Sequence, residues 1–125
     1  MSVDSPVLVV EDDEALRNVI EWALSDAGYP VTAAENGAVA LRAVEHTVPC
    51  AILLDMRMPV MDGWTFARSY RELPVPHAPI IVLTAARDAA EWARQVQAAD
   101  YLGKPFEVDE LLNRVQRLVA RSQPS

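Results

Sequence analysis

The sequence predicts a single α/β domain built on a doubly wound, five-stranded parallel sheet with five helices, in which strands and helices alternate five times. Three apolar runs without polar alternation, at residues 7–10, 51–54 and 80–83, are typical of strands buried on both faces. Segments with apolar residues at helical spacing separate these runs. The length of 125 residues fits one domain, with its core at about residues 7–120 and no effector domain.

In the first half of the chain, the strand at residues 7–10 is followed by a predicted helix. Its apolar residues recur at helical spacing over residues 16–27, and Gly28 follows where a helix C-terminal glycine belongs. Residues 31–34 form a weaker predicted strand. Asn36-Gly37 is a turn signal, after which a second helix begins at Ala38 and ends before Pro49.

The second half of the chain continues the same alternation. After the strands at 51–54 and 80–83, the predicted elements are helices at about residues 64–72, 88–98 and 108–119 and a short strand at 101–102. The helix at 88–98 contains many alanines and only two large apolar residues, Trp92 and Val96. Since little apolar burial would hold this helix, we expect it to be the most easily displaced element.

Composition and charge exclude several kinds of function. The formal net charge is −7 and no Lys and Arg cluster stands out, so direct nucleic-acid binding is not expected. Cys50 is the single cysteine, which excludes an intrachain disulfide and Cys-rich zinc sites; we expect a small buried hydrophobe there. His46 and His77 share no ligand-like spacing and are interpreted as solvated loop residues.

The sequence also lacks the signals of secretion, membrane insertion and dinucleotide binding. The first six residues lack the basic start and apolar core of a signal peptide, and no apolar run approaches the length of a membrane span. The four glycines contain no G-x-G-x-x-G pattern. We therefore expect a cytoplasmic protein without membrane insertion.

Polar residues directly follow the predicted strands at the edge where a doubly wound sheet binds its ligands. They are Glu11, Asp12 and Asp13 after the first strand, Asp55 after the third, Thr84 after the fourth and Lys104 near the fifth. Any one of these residues alone would more often be a helix cap or a solvated side chain. Four separate strand ends carrying such groups indicate a shared site.

These residue types fit one kind of chemistry. Converging carboxylates repel one another and either raise each other's pKa or hold a hard cation, for which oxygen ligands favour Mg²⁺, with Mn²⁺ as an alternative. A carboxylate beside the cation can act as a nucleophile toward phosphorus and form an aspartyl phosphate. A lysine and a hydroxyl can bind the remaining phosphoryl oxygens.

The motifs resemble those of response-regulator receiver domains of two-component signalling, which are chemotaxis-regulator-like and have a flavodoxin-like fold. The resemblance covers residues 7–119, and its motifs are the VVEDDE run at residues 9–14, LLDMRMPVMDG at 53–63, LTA at 83–85 and DYLGKPF at 100–106. It implies a signalling switch rather than an enzyme, although such a domain can catalyse its own phosphorylation and dephosphorylation.

The resemblance implies a metal and phosphorylation site at the strand ends. Asp55 matches the phosphoacceptor, Asp12 a direct Mg²⁺ ligand and Glu11 a ligand through water. The backbone carbonyl of Arg57 is expected to complete the metal site together with Asp55. Asp13 is expected to lie outside the metal site and to start the first helix.

The same resemblance implies a switch. Thr84 matches the switch hydroxyl, Tyr101 the switch aromatic residue and Lys104 the phosphate-binding lysine, with a cis Lys104-Pro105 bond. The implied partners are a histidine kinase or a histidine phosphotransfer protein upstream. Downstream, a protein partner or a second copy of the chain would bind the surface of the fourth helix, the Tyr101 strand and the last helix.

Two positions depart from the family's commonest pattern. Gln97 stands where a glycine is usual, which concerns the turn into the last strand. Arg57 carries an uncommonly bulky side chain, whose guanidinium could reach the phosphoryl group or the acidic residues. With Ala86 two positions after Thr84, nothing polar there guides water. We expect the Arg57 and Ala86 positions to set the phosphate lifetime.

Two alternatives remain at this point. A haloacid-dehalogenase-type phosphatase also uses an Asp nucleophile, but it needs a second Asp two residues later, where this chain has Arg57. A degenerate receiver that serves only as an interaction module would lack one or more of the acidic pair, the phosphoacceptor Asp, the switch Thr and the phosphate-binding Lys. None of these is missing from the sequence. The cognate kinase, the output partner, the oligomeric state and the biological response are not readable from the sequence.

Overall fold

The computed structural model describes residues 5–122, which form five parallel strands and five helices in strict alternation. The strands are β1 (Val7–Val10), β2 (Val31–Ala34), β3 (Ala51–Asp55), β4 (Ile80–Ala85) and β5 (Asp100–Lys104). The helices are α1 (Glu14–Asp26), α2 (Gly37–His46), α3 (Gly63–Glu72), α4 (Ala86–Gln95) and α5 (Val108–Ser122). The predicted fold class and the order of elements are confirmed.

The strands form one sheet in the order β2-β1-β3-β4-β5, with every neighbouring pair parallel. The winding direction therefore switches between β1 and β3. Ligand clefts of doubly wound sheets form outside the carboxyl ends of the strands at this switch point. The register pairs Val10 with Leu54, so the residues that follow these two strands emerge side by side.

Alternate strand residues feed two apolar cores, one on each face of the sheet. One core includes Leu8, Ile52 and Val82 and packs against α2, α3 and α4, with Phe66 and Tyr70 fully buried. The other packs against α1 and α5 and contains the following buried residues: Val7, Val9, Ile20, Leu24, Cys50, Leu53, Ile81, Leu83, Leu102, Leu111, Val115 and Leu118. The expectation that Cys50 is a small buried hydrophobe is confirmed.

Three helices begin at a side-chain cap. Asp13, Asn36 and Asp62 each accept a hydrogen bond from the backbone N–H three residues later, which satisfies an otherwise unpaired donor of the first turn. Asp13 therefore starts α1, as expected. No helix between residues 5 and 122 is long and apolar enough to cross a membrane.

The bounds of α4 differ from the prediction of residues 88–98. The helix begins at Ala86, directly after β4, and its N-cap residue Ala85 makes no side-chain cap. It ends at Gln95, and Gln97 follows with φ of 55°, in the left-handed region that glycine normally occupies. The backbone N–H of Ala98 reaches the carbonyl of Ala93, which closes the turn as a Schellman motif. Gln97 thus adopts the left-handed conformation that glycine usually provides at this position of the turn.

Candidate functional site

Three carboxylates meet at the switch point of the sheet. Glu11 and Asp12 follow β1, and Asp55 is the last residue of β3, the strand beside it. One carboxylate oxygen from each residue lies within 4.8 Å of the other two. Glu11 and Asp55 are buried, whereas Asp12 is exposed at the mouth of a cleft of about 520 Å³. Three of the four acidic residues that the sequence singled out therefore form one cluster, and Asp13 is the exception.

Lys104, the last residue of β5, enters the same cleft from the other side. Its Nζ lies 2.9 Å from Glu11 Oε1 and 3.4 Å from Asp55 Oδ1. Glu11 Oε1 is nevertheless the one buried side-chain polar atom between residues 5 and 122 without a partner in hydrogen-bond geometry. We therefore describe the Lys104–Glu11 contact as an ion pair rather than a well-formed hydrogen bond.

The electrostatics of the cluster follow from burial and crowding. Burial, and then the negative charge of Glu11, raise the pKa of Asp55 to about 7, although the Lys104 ammonium opposes the shift. Burial alone would lower the pKa of Lys104, but its contacts with Glu11 and Asp55 outweigh that effect and raise it. The cleft thus concentrates more negative charge than one lysine neutralises.

The donor set fits a hard divalent cation. All three clustered ligands are carboxylates, and among the described residues the buried Glu11 Oε1 has the Lys104 ion pair but no contact in hydrogen-bond geometry. Oxygen-only sites of this kind suit Mg²⁺ or Mn²⁺ rather than zinc. Asp13 does not belong to the cluster, because its carboxylate accepts from the Leu16 N–H while its backbone N–H donates to Glu11 Oε2 at 3.2 Å.

The two predicted switch residues lie on neighbouring strands. Thr84, near the end of β4, is buried and lines the cleft together with Asp55 and Lys104. Tyr101, on the edge strand β5, is 44% exposed, and its backbone carbonyl accepts a hydrogen bond from Arg114 Nη1 at 2.8 Å. The Lys104-Pro105 peptide bond is cis, as expected.

A family model described as the response regulator receiver domain matches residues 7–116, nearly the whole chain. The chain belongs to this family. The fold confirms the resemblance drawn from the motifs, and the match of nearly the whole chain argues against the phosphatase alternative.

Curated relatives of this receiver domain include two longer response regulators. The chain is 42% identical over 119 residues to the DNA-binding transcriptional regulator NtrC of Escherichia coli K12, covering 94% of this chain and 25% of that protein. It is 39% identical over 120 residues to the response regulator MprA of Mycobacterium sp. strain KMS, covering 94% and 52%. The receiver domain therefore spans about a quarter to a half of the length of these relatives.

Solved structures of receiver domains are also similar. One is the receiver domain of a sensor histidine kinase from Pseudomonas aeruginosa PAO1, described with a magnesium ion coordinated in its active site cleft. It has 38% identity, a TM-score of 0.84 and coverage of 93% of this chain and 98% of that chain. A Francisella response regulator receiver domain has 30% identity, a TM-score of 0.85 and coverage of 95% and 99%.

The side chain of Arg57 does not join the acidic residues of this receiver domain. Its guanidinium carbon lies 5.2 Å from the centroid of the Trp92 ring on α4, and within residues 5–122 it forms no ion pair. This contact was not predicted, because its partners lie 35 positions apart. Arg87 and Asp88 in the first turn of α4 also line the cleft, with Arg87 Nε 3.6 Å from Asp88 Oδ2. The sequence analysis did not name these two residues, although their closeness to Thr84 in the sequence could have indicated them.

An apolar groove of about 590 Å³ adjoins the cleft of this receiver domain. Leu16 and Val19 of α1 form one wall, and Pro105 and Phe106 of the β5–α5 loop form the other, with Lys104 at the boundary. Val19 is exposed, and Trp22, one helical turn further along α1, is 68% exposed. The sequence reasoning missed this groove because helical periodicity assigned Val19 to the core.

Proposed function

We propose that this receiver domain is a phosphorylation-dependent switch in which Asp55 accepts a phosphoryl group from a histidine kinase or a histidine phosphotransfer protein. The observation that carries the proposal is the convergence of Asp55 with Glu11, Asp12 and Lys104 in one cleft. Glu11 and Asp12, Asp55 itself and the backbone carbonyl of Arg57 would hold Mg²⁺, or Mn²⁺ in its place. The family membership and the neighbour that holds magnesium support this assignment.

The covalent step itself involves only Asp55 and the donor. An Asp55 carboxylate oxygen forms the new bond to phosphorus, while the bond from phosphorus to the donor's histidine nitrogen breaks and its electron pair returns to the ring. The bound metal would favour the ionised form of Asp55 and neutralise charge on the phosphoryl oxygens. Lys104 is already paired with Asp55, and it can transfer this contact to a phosphoryl oxygen.

Intact-protein mass spectrometry after incubation with acetyl phosphate and Mg²⁺ tests the assignment. We expect the addition of one phosphoryl group, its loss on chelation of the metal, and its loss in Asp55→Asn. Asp13→Asn is the matched control, because Asn can still cap α1 and Asp13 lies outside the cluster. Phosphorylation of Asp55→Asn at the rate of the unaltered protein would refute the assignment.

The proposed switch runs from Thr84 to Tyr101. Phosphorylation adds one to two units of negative charge, and the buried Thr84 hydroxyl can move to bond a phosphoryl oxygen. The half-exposed ring of Tyr101 would then turn inward. We propose that the surface of α4, β5 and α5 binds a downstream protein or a second copy of the chain, and that the domain binds no nucleic acid itself.

Amide-resonance mapping with Mg²⁺ and beryllofluoride, a phosphoryl mimic, tests this switch. We expect shifts at residues 88–106 as well as around Asp55. Lys104→Ala should retain some phosphorylation but lose the shifts at 88–106, since this chain contains no other lysine. Shifts confined to the Asp55 loop would reject the switch. No shift at any residue would favour the alternative of a module that is never phosphorylated.

We further propose that the phosphodonor docks on the apolar groove between α1 and the β5–α5 loop. The groove directly adjoins Lys104, so a donor seated there would present its phosphohistidine to the cleft. Val19→Glu should slow transfer from a protein donor at least tenfold while leaving phosphorylation by acetyl phosphate unchanged. Val48→Glu, at an exposed residue elsewhere on the surface, is the matched control. Equal slowing with both donors would contradict this docking site.

A further inference from the structure

Arg57 connects the phosphorylation cleft to α4. The residue lies two positions after Asp55, lines the same cleft, and has an exposed side chain. Its guanidinium carbon nevertheless lies 5.2 Å from the Trp92 ring centroid, within the range of a cation–π contact. The loop that follows β3 is therefore attached to the middle of α4 by one side-chain pair.

Trp92 passes this attachment to the rest of α4 and to α3. Its ring meets the ring of Trp64 on α3 edge-on, with centroids 4.8 Å apart. The Trp64 indole N–H donates a hydrogen bond of 2.8 Å to the side chain of Gln95, at the end of α4. These side chains bridge α3 and α4, so Trp92 connects the Arg57 contact to both helices.

Within residues 5–122, the charges around the cleft leave Arg57 without an acidic partner in this state. Lys104 occupies the side of the cluster that faces both Glu11 and Asp55. Arg87, the other arginine of the cleft, lies beside Asp88. Arg57 is thus a cation held at the mouth of an acidic cleft by an aromatic ring.

We propose that Arg57 is a positioning residue with two alternative partners: Trp92 before phosphorylation and the phosphoryl oxygens afterwards. The proposal depends on the function proposed for Asp55. A cation–π contact with a half-exposed ring favours the bound guanidinium over the free one about two- to fivefold. A charge-assisted hydrogen bond to a phosphoryl oxygen favours the bound guanidinium about tenfold or more. Phosphorylation therefore draws the guanidinium from Trp92 and releases α4 from the β3–α3 loop.

This route reaches α4 independently of Thr84 and Tyr101. The hydroxyl route acts through β4 and β5, whereas the Arg57 route acts directly on the α4 side chain that packs against α3. Since coupling between sites is reciprocal, a partner that holds Trp92 away from Arg57 should also strengthen phosphoryl binding.

The resting contact is tested in the metal-free protein by nuclear magnetic resonance. We expect the Arg57 side-chain protons to show the ring-current shift of the Trp92 indole, and Trp92→Leu to remove it. Addition of Mg²⁺ and beryllofluoride should remove the same shift and move the Trp92 indole N–H signal. Trp22→Phe, which alters an exposed tryptophan on α1, should leave both signals unchanged.

Beryllofluoride affinity in the presence of Mg²⁺ tests the exchange of partners. Trp92→Leu should tighten binding about two- to fivefold, because the competing partner of Arg57 is gone. Arg57→Ala should weaken it about two- to fivefold relative to the wild type and about tenfold relative to Trp92→Leu, and Arg57→Lys should recover part of the loss. The double variant should match Arg57→Ala, since Trp92 acts only through Arg57. If Trp92→Leu lowers stability, Trp92→Phe gives the same direction with a smaller effect.

Other outcomes overturn the inference without touching the function of Asp55. If beryllofluoride shifts the Asp55 amide but leaves the Arg57 and Trp92 side-chain signals in place, the exchange does not occur. Additive effects in the double variant would also overturn it, as would an equal loss of affinity in Arg87→Ala, which removes the same charge from the same cleft. If no resonance responds to beryllofluoride, the proposed function itself fails and the inference fails with it.

Discussion

The sheet has a carboxyl edge, where its strands end, and an amino edge, where they begin, and the two edges differ in how their polar groups are paired. At the carboxyl edge, a buried oxygen of Glu11 has an ion pair with Lys104 but no partner in hydrogen-bond geometry among the described residues, and the pKa of Asp55 is raised to about 7. In the loop that follows β3, Val60 holds a φ of 70°. At the amino edge, backbone groups at neighbouring strand starts are hydrogen-bonded. The N–H groups of Val7, Cys50 and Ile52 donate to the carbonyls of Pro30, Pro6 and Pro79, respectively.

This difference separates what the fold needs from what the site needs. Paired backbone groups and buried apolar side chains at the amino edge stabilise the domain without offering chemistry. The carboxyl edge keeps buried charge that a purely structural edge would lose, in line with the tendency of perturbed groups to gather at functional sites. Backbone strain occurs at both edges, at Val60 and at Gln97. Relieving a feature of the carboxyl edge should therefore stabilise the domain, and removing one at the amino edge should destabilise it.

The largest effect is expected from Asp55→Asn in metal-free buffer. Because the pKa of Asp55 is raised on folding, from 3.8 to about 7, the folded state holds its proton more tightly than the unfolded chain. The contribution of Asp55 to wild-type stability should therefore fall as pH rises from about 4 to 7, by roughly 2–4 kcal/mol in total, and then level off. Asp55→Asn should lack this loss and be the more stable protein at pH 8.

Chemical denaturation at pH 4 and pH 8 measures this difference. Glu45→Gln, which removes an exposed carboxylate on α2, controls for the loss of one charge. Saturating Mg²⁺ should narrow the gap at pH 8, because a bound cation stabilises the ionised folded form. If the wild type is more stable than Asp55→Asn at pH 8 without metal, the claim that relieving a feature of the carboxyl edge stabilises the domain is wrong.

At the amino edge, Tyr70→Phe should cost about 1–3 kcal/mol of unfolding free energy. The Tyr70 hydroxyl is buried and accepts a hydrogen bond of 2.7 Å from the Ala78 N–H while donating one of 3.3 Å to the Pro76 carbonyl. Phenylalanine keeps the ring but leaves both backbone groups unpaired. Thermal unfolding of this variant beside Tyr29→Phe, which alters a partly buried tyrosine, measures the effect; equal stability to wild type would show that water replaces the hydroxyl.

The smallest effect is expected from Val60→Gly, which should stabilise the domain by about 1 kcal/mol. Val60 occupies a left-handed conformation in a tight turn, closed by a 2.7 Å hydrogen bond from the Met61 N–H to the Pro59 carbonyl. A β-branched residue is strained there, and an 83% exposed side chain contributes little packing to offset the strain. Denaturant titration against Val48→Gly, also at an exposed valine, checks the sign; destabilisation by Val60→Gly would contradict it.

The strands were predictable because burial on both faces leaves an unbroken apolar run. The runs at residues 7–10, 51–54 and 80–83 all became strands of the central sheet. The limits of α4 were less predictable, because Ala85 provides no cap signal and the following alanines carry no periodic pattern. The left-handed turn at Gln97 was suggested only by the family comparison, since glutamine gives no local signal for it.

The convergence of the site was predictable from topology, because polar residues at the carboxyl ends of adjacent parallel strands must meet at one edge. This applied to Glu11 and Asp55, which follow or end the adjacent strands β1 and β3. Lys104 ends β5, which β4 separates from β3, and its long side chain reaches the same cleft. The direction of the Arg57 side chain was not predictable, since its aromatic partner comes from a distant helix and the nearby carboxylates offered an equally reasonable destination. The partner of a long side chain depends on the positions of several elements in the folded backbone, which local sequence does not give.

The position of the chain's only lysine at the centre of the cleft makes it a natural label. Reductive methylation with ¹³C-formaldehyde would mark Lys104 and the chain's α-amino group alone, because the sequence contains no other lysine. The Lys104 side chain is 28% exposed, so the reagent can reach it, and methylation preserves the positive charge. One dimethylamine signal would then report metal entry, phosphoryl arrival and hydrolysis in real time, without assignment of the rest of the spectrum.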